Sequence, residues 1–181
     1  MLCSLTAAAL VLTACGGSDD NNTPADLAGS SATLAVLSTT DLHTNILGYD
    51  YFKLAADPSY GFDRAATLIR SARSEFANSL LVDNGDTIQG TALADYEATI
   101  SPIPCTQQLS MYKAMGALGF DAGTLGNHEF NYGLPFLNQV LGGGLDVDGV
   151  DPTKKCAGAG YPAVLANVYS SKTKKPLVQP Y

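Results

Sequence analysis

The sequence contains no tryptophan and only two histidines, and charged residues make up just 15% of its 181 residues. Basic residues are especially scarce, with 10 lysines and arginines against 17 acids and a net charge of −7. A protein that binds a nucleic-acid polymer usually carries a basic patch, so this balance argues against such a partner. It does not exclude a small phosphate-bearing substrate, because bound metal ions can supply positive charge. Hydrophobic residues reach 46%, enough for the core of one domain or a large part of one.

The N-terminal apolar stretch is too short to span a bilayer, but it has the length of a signal-peptide core. It ends in "LTAC", which resembles a bacterial lipobox with Cys15 as the lipidated residue. We therefore expect a lipoprotein-type signal peptide over 1–14 and a flexible tether over 15–32. This predicts a location in the periplasm or cell envelope, with a lipid anchor as the only membrane contact. The usual positive segment is missing, since the first basic residue is Lys53, and the alternative is a frayed apolar tail.

Cysteines are few, and none of the four stands in a CxxC or other metal-type spacing. Cys3 would leave with the signal peptide and Cys15 would carry lipid. Cys105 and Cys156 then remain, and in an exported protein we expect them to form a disulfide. The alternative is a pair of buried free thiols.

Strand-type and helix-type patterns alternate after residue 32. Short apolar runs typical of strands occur at 32–40, 79–85, 121–126 and 162–168, and helical spacing of apolar residues occurs at 62–78, 106–119 and 134–143. This alternation predicts an α/β domain with a mostly parallel sheet and helices on both faces. In such sheets the chemistry lies beyond the carboxyl ends of the strands.

Three successive predicted strands end in polar side chains that can bind metal. The first runs into Asp41 and His43, the second into Asp86, and the third into Asn127 and His128. Each motif alone is weak, because a D-x-H is usually a cap beside a solvated histidine and a GD is usually a turn. Their order and their common position at strand ends predict a metal site, and the mixture of oxygen and nitrogen donors suits Mn, Fe, Zn or Co.

Four blocks around these motifs resemble one known family. They are "STTDLHTNILGYDYFK", "LLVDNGDTIQGTALADY", "AMGALGFDAGTLGNHEFNYGLPFL" and "ANVYSSKTKKPLVQPY". They resemble the opening motifs of the calcineurin-like metallophosphoesterases of the 5′-nucleotidase family, above all the bacterial 2′,3′-cyclic-nucleotide 2′-phosphodiesterase/3′-nucleotidase branch. The resemblance implies that 33–181 form the N-terminal part of a metallophosphoesterase αββα sandwich.

The resemblance also implies two divalent metal ions. Asp41 and His43 would bind the first ion, Asp86 would bridge the two, and Asn127 would bind the second. A pair of ions at such a site can clamp both the attacking and the leaving oxygen of an in-line displacement. Hydrolysis would then proceed through a metal-activated hydroxide.

His128 is implied to be catalytic rather than a ligand. It would lie beside the scissile phosphate and stabilise or protonate the leaving oxygen. Asn131 would orient its ring, at a position where the 5′-nucleotidase branch usually has an aspartate. An amide can orient an imidazole but cannot stabilise its charge as a carboxylate does.

The implied substrates are nucleotides, namely 2′,3′-cyclic nucleotides and 3′-nucleotides. The alternatives are a 5′-nucleotidase or nucleotide-sugar hydrolase of the same family, a tethered binding lipoprotein without turnover, and an inactive fragment. The family completes its metal site with later histidines, whereas none follows His128 here. We therefore expect 33–181 to be an incomplete portion of the domain with little activity of its own.

Overall fold

The computed structural model describes residues 9–10 and 28–181. Cys15 and most of the predicted signal peptide and tether lie outside the described residues. Within those ranges, no helix is both long enough and apolar enough to cross a membrane.

The principal strands and helices of the described chain alternate, as the sequence predicts. The strands are β1 (Ala9–Leu10), β2 (Leu34–Thr39), β3 (Tyr49–Asp50), β4 (Ala55–Ala56), β5 (Ser79–Asp83) and β6 (Ala122–Gly123). The helices are α1 (Phe62–Glu75), α2 (Ala92–Asp95), α3 (Ser110–Ala117) and α4 (Leu134–Val140). Of these, β1, β3, β4 and α2 are short elements additional to the predicted ones. A π-helical turn, Tyr96–Ile100, continues α2, and a 3₁₀ turn covers His128–Phe130.

The main sheet has the order β1-β2-β5-β6, and β3 pairs with β4 in a separate hairpin. The pairs β2·β5 and β5·β6 are parallel, whereas β1 runs antiparallel to β2. In the register of β2 and β5, Leu37 lies opposite Leu81 and Thr39 opposite Asp83. Leu37 and Leu81 are both buried, and the polar pair follows at the carboxyl end. The parallel register therefore brings the loops after β2 and β5 to the same edge.

The helices bury apolar faces, although Leu68, which helical spacing placed on the apolar stripe of α1, is 54% exposed. In α1 the buried residues are Phe62, Ala66 and Ile69, spaced by four and three positions on one face. Around α3, Leu109, Tyr112, Met115 and Leu118 are all buried. These side chains share one core cluster with Leu81, Leu137 and Val140. The predicted mixed α/β fold with a parallel sheet is confirmed.

Three predicted segments differ most from the structure, whereas the ends of the other predicted elements differ by no more than three residues. The helix expected from 106 begins at Ser110, and the strand expected over 121–126 comprises only Ala122–Gly123. The strand expected over 162–168 is not formed; single bridges join Ala163 to Gly123 and Val164 to Gln179. A strand needs a partner of matching length, and β6 offers only two residues. The backbone N–H of Leu165 also donates to the carbonyl of Gln179. This segment is therefore hydrogen-bonded to the segment around Gln179 and is not an unpaired strand at the edge of the sheet.

Cys105 and Cys156 form a disulfide, with their Cα atoms 4.7 Å apart. It links the loop before α3 to the loop after α4. A backbone hydrogen bond of 2.9 Å from Ala157 to the carbonyl of Cys105 runs beside it. The disulfide therefore closes a stretch of chain that includes α3, β6 and α4.

Candidate metal centre at the carboxyl edge of the sheet

The loops after β2 and β5 continue the parallel pairing beyond the strands themselves. The backbone N–H of Asp41 donates to the carbonyl of Gly85 at 3.0 Å, and that of His43 donates to Asp86 at 3.0 Å. These bonds hold the D-x-H segment against the GD segment. Two motifs more than forty residues apart in the sequence thus become one rigid edge.

The backbone of this edge is strained. Among the described residues, six non-glycine positions have a positive φ, and four of them belong to these loops: Asp41 (54°), His43 (47°), Thr44 (56°) and Asp86 (58°). Each such residue costs on the order of 1 kcal/mol or more, and strain of this kind persists where the surroundings over-determine it, typically at functional sites. These left-handed backbone conformations set the directions in which the side chains of Asp41, His43 and Asp86 leave the two loops.

His43, Asp86 and His128 form a group whose potential ligand atoms all lie within 4.8 Å of one another. The two imidazole rings meet edge to face, with centroids 4.9 Å apart and an interplanar angle of 83°. The backbone N–H of His128 donates to Asp86 Oδ1 at 2.9 Å, which ties the third loop to the second. One carboxylate and two imidazoles at this spacing fit a borderline divalent ion such as zinc, manganese or iron.

The other predicted ligands lie at the margin of this group. Asp41 Oδ1 is 3.7 Å from His43 Nε2, and the Asp41 side chain is 58% exposed. Asn127 is exposed, precedes the 3₁₀ turn, and its side chain makes no hydrogen bond among the described residues. The three residues brought together are therefore His43, Asp86 and His128, of which the sequence assigned His128 to catalysis rather than to binding.

Asn131 lies beside His128, as the resemblance implies. Its Nδ2 atom is 3.1 Å from His128 Nδ1. A third residue, Gln89, also meets the ring, with its Oε1 atom 2.6 Å from the same Nδ1. Sequence reasoning did not single out Gln89, which stands in "GDTIQG" three positions after Asp86.

The buried Glu129 holds the loops of the site together, and it was not identified as a site residue from the sequence. Its carboxylate is 1% exposed and accepts four backbone hydrogen bonds: from Asp86 (2.9 Å), Gly126 (2.6 Å), Thr87 (2.6 Å) and Ile88 (3.3 Å). A buried acid is rare unless it is paired. Here the partners are N–H groups of two different loops, so the carboxylate holds the GD and GNHE segments together. The acid is visible in the motif, but its burial is not.

Asp83 is a second buried acid, at the carboxyl end of β5. It accepts hydrogen bonds from the hydroxyls of Thr39 and Thr87 at 2.6 Å each, and from the N–H of Gly85 at 3.0 Å. Burial raises the pKa of this carboxyl, the hydrogen bonds oppose the rise, and the nearby charge of Glu129 adds to it. Asp83 therefore stabilises the start of the loop that contains Gly85 and Asp86.

Gly126 allows the third loop to approach the second. A Cβ at this position would lie 2.2 Å from Asp86 Oδ1 and 2.7 Å from the backbone nitrogen of Asp86. Only glycine permits this contact, because the atoms met are themselves held by the site. The glycine of "GNHE" is thus a packing requirement of the candidate ligand Asp86.

Known proteins resemble this chain over most of its length. It is 42% identical over 157 residues to the 2′,3′-cyclic-nucleotide 2′-phosphodiesterase/3′-nucleotidase of Salmonella typhimurium, a match covering 87% of this chain and 22% of that protein. It is 45% identical over 148 residues to the protein of the same name from Yersinia enterocolitica, covering 82% of this chain and 20% of that protein. No protein-family model matches.

A solved structure gives the same result. The calcineurin-like phosphoesterase YfkN from Bacillus subtilis superimposes with a TM-score of 0.68 at 38% identity, covering 82% of this chain and 40% of that one. Together with the strand-end motifs, these matches mean that the chain belongs to the calcineurin-like phosphoesterases.

Within that family, its similarity is to the enzymes named 2′,3′-cyclic-nucleotide 2′-phosphodiesterase/3′-nucleotidase. The chain spans about a fifth of the length of these curated relatives.

Proposed function

We propose that the protein hydrolyses nucleotide phosphoesters with the help of divalent metal ions, and that its substrates are 2′,3′-cyclic nucleotides and 3′-nucleotides. The observation that carries the proposal is the group of His43, Asp86 and His128 at the carboxyl edge of the sheet. Relatives above 40% identity that are named for this activity support the choice of substrates.

The proposed cofactor is a pair of ions, drawn from Mn, Zn, Fe or Co. Asp41 and His43 would hold the first, Asp86 would be shared, and Asn127 would contribute to the second. When bound, such ions polarise phosphoryl oxygens and make water a usable nucleophile near neutral pH. The donor set of carboxylate, amide and imidazole groups agrees with these metals.

The protein's own groups would position the substrate and move a proton. The Nδ1 atom of His128 is engaged by Gln89, which leaves Nε2 as the nitrogen that can exchange a proton with the leaving oxygen. The hydrogen bond from the backbone N–H of His128 to Asp86 Oδ1 holds the backbone of His128 beside the carboxylate that would bind metal. Asn131 would orient the His128 ring through Gln89, whose Oε1 atom lies 3.3 Å from Asn131 Nδ2.

We also propose that the protein is exported and lipid-anchored through Cys15, in the periplasm or cell envelope. The lipobox-like "LTAC" supports this location. A disulfide between Cys105 and Cys156 supports it independently, because disulfides persist in oxidising compartments.

The test replaces Asp86 with alanine in the full-length protein. Hydrolysis of 2′,3′-cyclic AMP and 3′-AMP should be abolished, and bound metal measured by elemental analysis should fall. Asp148→Ala serves as the matched control, since Asp148 is an exposed acid in the loop after α4. Full activity of Asp86→Ala would overturn the proposal.

Substrate comparison separates the alternatives. Preferred hydrolysis of 5′-AMP or a nucleotide sugar would assign the protein to the 5′-nucleotidase alternative. Metal binding with no turnover of any of these compounds would favour a tethered binding lipoprotein.

A further inference from the structure

Gln89 contacts both histidines of the chain, one through its backbone and the other through its side chain. Its carbonyl oxygen lies 2.6 Å from His43 Nδ1. Its side-chain Oε1 lies 2.6 Å from His128 Nδ1. Gln89 thus contacts the Nδ1 atom of both imidazole rings, whose centroids are 4.9 Å apart.

The contact with His43 has only one reading. A backbone carbonyl accepts hydrogen bonds and cannot donate one. The Nδ1 atom of His43 therefore carries the proton when the ring is neutral, and the lone pair is on Nε2. A metal-binding histidine commonly has its second nitrogen fixed by such a carbonyl.

The contact with His128 depends on the orientations of the Gln89 and Asn131 amides, and in the structure Gln89 Oε1 faces the ring. Asn131 Nδ2 lies 3.3 Å from Gln89 Oε1. With oxygen at this place, Gln89 accepts from both His128 and Asn131, which its two lone pairs allow. Reversing the Gln89 amide alone would set two NH₂ groups against each other, whereas reversing both amides would give the opposite tautomer, which the test below distinguishes. In the arrangement of the structure, His128 Nδ1 and Asn131 Nδ2, 3.1 Å apart, both donate to Gln89 Oε1, which puts the proton on Nδ1 and the lone pair on Nε2.

We propose that Gln89 is the positioning residue that sets the tautomer of both histidines, through its carbonyl for His43 and its side chain for His128. Asn131 then acts on the ring indirectly, by fixing the Gln89 amide. The Gln89 side chain thus takes the accepting role that a carboxylate would otherwise fill at Nδ1. This inference stands apart from the proposed function, because the tautomers exist in the metal-free chain.

The test is ¹H–¹⁵N NMR of the two imidazole rings in the metal-free protein, well above the ordinary histidine pKa of about 6.5. The chain has two histidines, so two ring patterns are expected, and His43→Gln identifies which belongs to His128. Both rings should be protonated on Nδ1. An Nε2–H tautomer for either ring in the wild-type protein would overturn the proposal.

Two variants distinguish the role of the Gln89 side chain from that of the Gln89 backbone carbonyl. Gln89→Met removes Oε1 but keeps the carbonyl, so His128 should shift toward the Nε2–H tautomer while His43 keeps its signals. The unchanged His43 pattern also reports that the loop remains folded. Gln89→Glu keeps an acceptor at this place and should keep His128 as Nδ1–H, so an Nε2–H ring in this variant would refute the role of the side chain even if the methionine variant unfolds. An unaltered His128 tautomer in folded Gln89→Met would refute the role of the side chain.

Hydrolysis by these variants is a separate question from the tautomers. A wild-type protein with Nδ1–H histidines but no turnover would count against the proposed function alone. An active protein with the other tautomer would count against Gln89 alone.

Discussion

The buried carboxylate of Glu129 accepts a 2.9 Å hydrogen bond from the backbone N–H of Asp86, 43 residues earlier in the chain. In return, Asp86 Oδ1 accepts the N–H of His128, the residue before Glu129. The two acids therefore hold each other's loops. Asp86 presents its side chain to the candidate site. Glu129 is buried and fixes the backbone of Asp86 through the hydrogen bond that it accepts.

Glu129→Gln should destabilise the protein out of proportion to the size of the change. In the wild type, both carboxylate oxygens accept hydrogen bonds from backbone N–H groups. The glutamine amide keeps one accepting oxygen, but its NH₂ group replaces the other and cannot accept these hydrogen bonds. Buried donors without an acceptor cost about 1–3 kcal/mol each, so we expect the free energy of unfolding to fall by about 2–4 kcal/mol. Denaturant unfolding measures this loss. Glu75→Gln is the matched control, because Glu75 is exposed at the end of α1, and an equal effect of both variants would contradict the argument.

Gly126→Ala should weaken metal binding and folding together. The added Cβ meets Asp86 Oδ1 and the backbone of Asp86 at distances that require the loops to separate. Overpacking of this kind costs about 1–3 kcal/mol. Metal titration by calorimetry and denaturant unfolding report the two effects.

Gly116→Ala provides the comparison for that variant. Gly116 lies in α3, and a Cβ there meets nothing within 4 Å. Alanine should raise stability by about 0.5–1 kcal/mol through its better helix propensity, with metal affinity unchanged. If Gly126→Ala behaved in the same way, the close contact with Asp86 would not matter.

Asp83→Asn should remove a pH-dependent part of the stability. Burial raises the pKa of Asp83 above its ordinary value of 3.8. The folded protein therefore holds this proton more tightly than the unfolded chain, and the wild type gains stability from it below pH 3.8. That gain is lost as pH rises through the raised pKa. The stability difference, wild type minus Asp83→Asn, should fall across this window and stay flat above it. A difference that grew with pH would mean that the hydrogen bonds to the carboxylate outweigh its burial.

The disulfide between Cys105 and Cys156 should contribute measurably to stability. It spans a sequence separation of 51 residues, for which the loop-entropy model gives about 4 kcal/mol. Replacing both cysteines with serine should lower the free energy of unfolding by that order. Peptide mapping without reduction should recover the two cysteines in one cross-linked fragment, and free thiols at both positions would reject the pairing.

The sequence alone determined the order of elements and the edge at which the chemistry lies. Strands β2 and β5 follow from short apolar runs, and helices α1, α3 and α4 follow from apolar residues at helical spacing, which are local properties of the chain. The motif positions followed because parallel strands bring their carboxyl ends to one edge. The segment 162–168 failed because an apolar run becomes a strand only beside a partner of matching length, and β6 is two residues long.

Only the tertiary structure decided that Gln89 and Glu129 serve the site, beside residues that the sequence already named. Gln89 meets its two histidines across separations of 46 and 39 residues, and Glu129 meets its loop across 41 to 43. Such contacts depend on left-handed turns at Asp41, His43 and Asp86, which a pattern of apolar residues does not encode. Periodicity reports which face of an element is buried. The direction of a loop side chain depends instead on the backbone torsions that long-range hydrogen bonds impose.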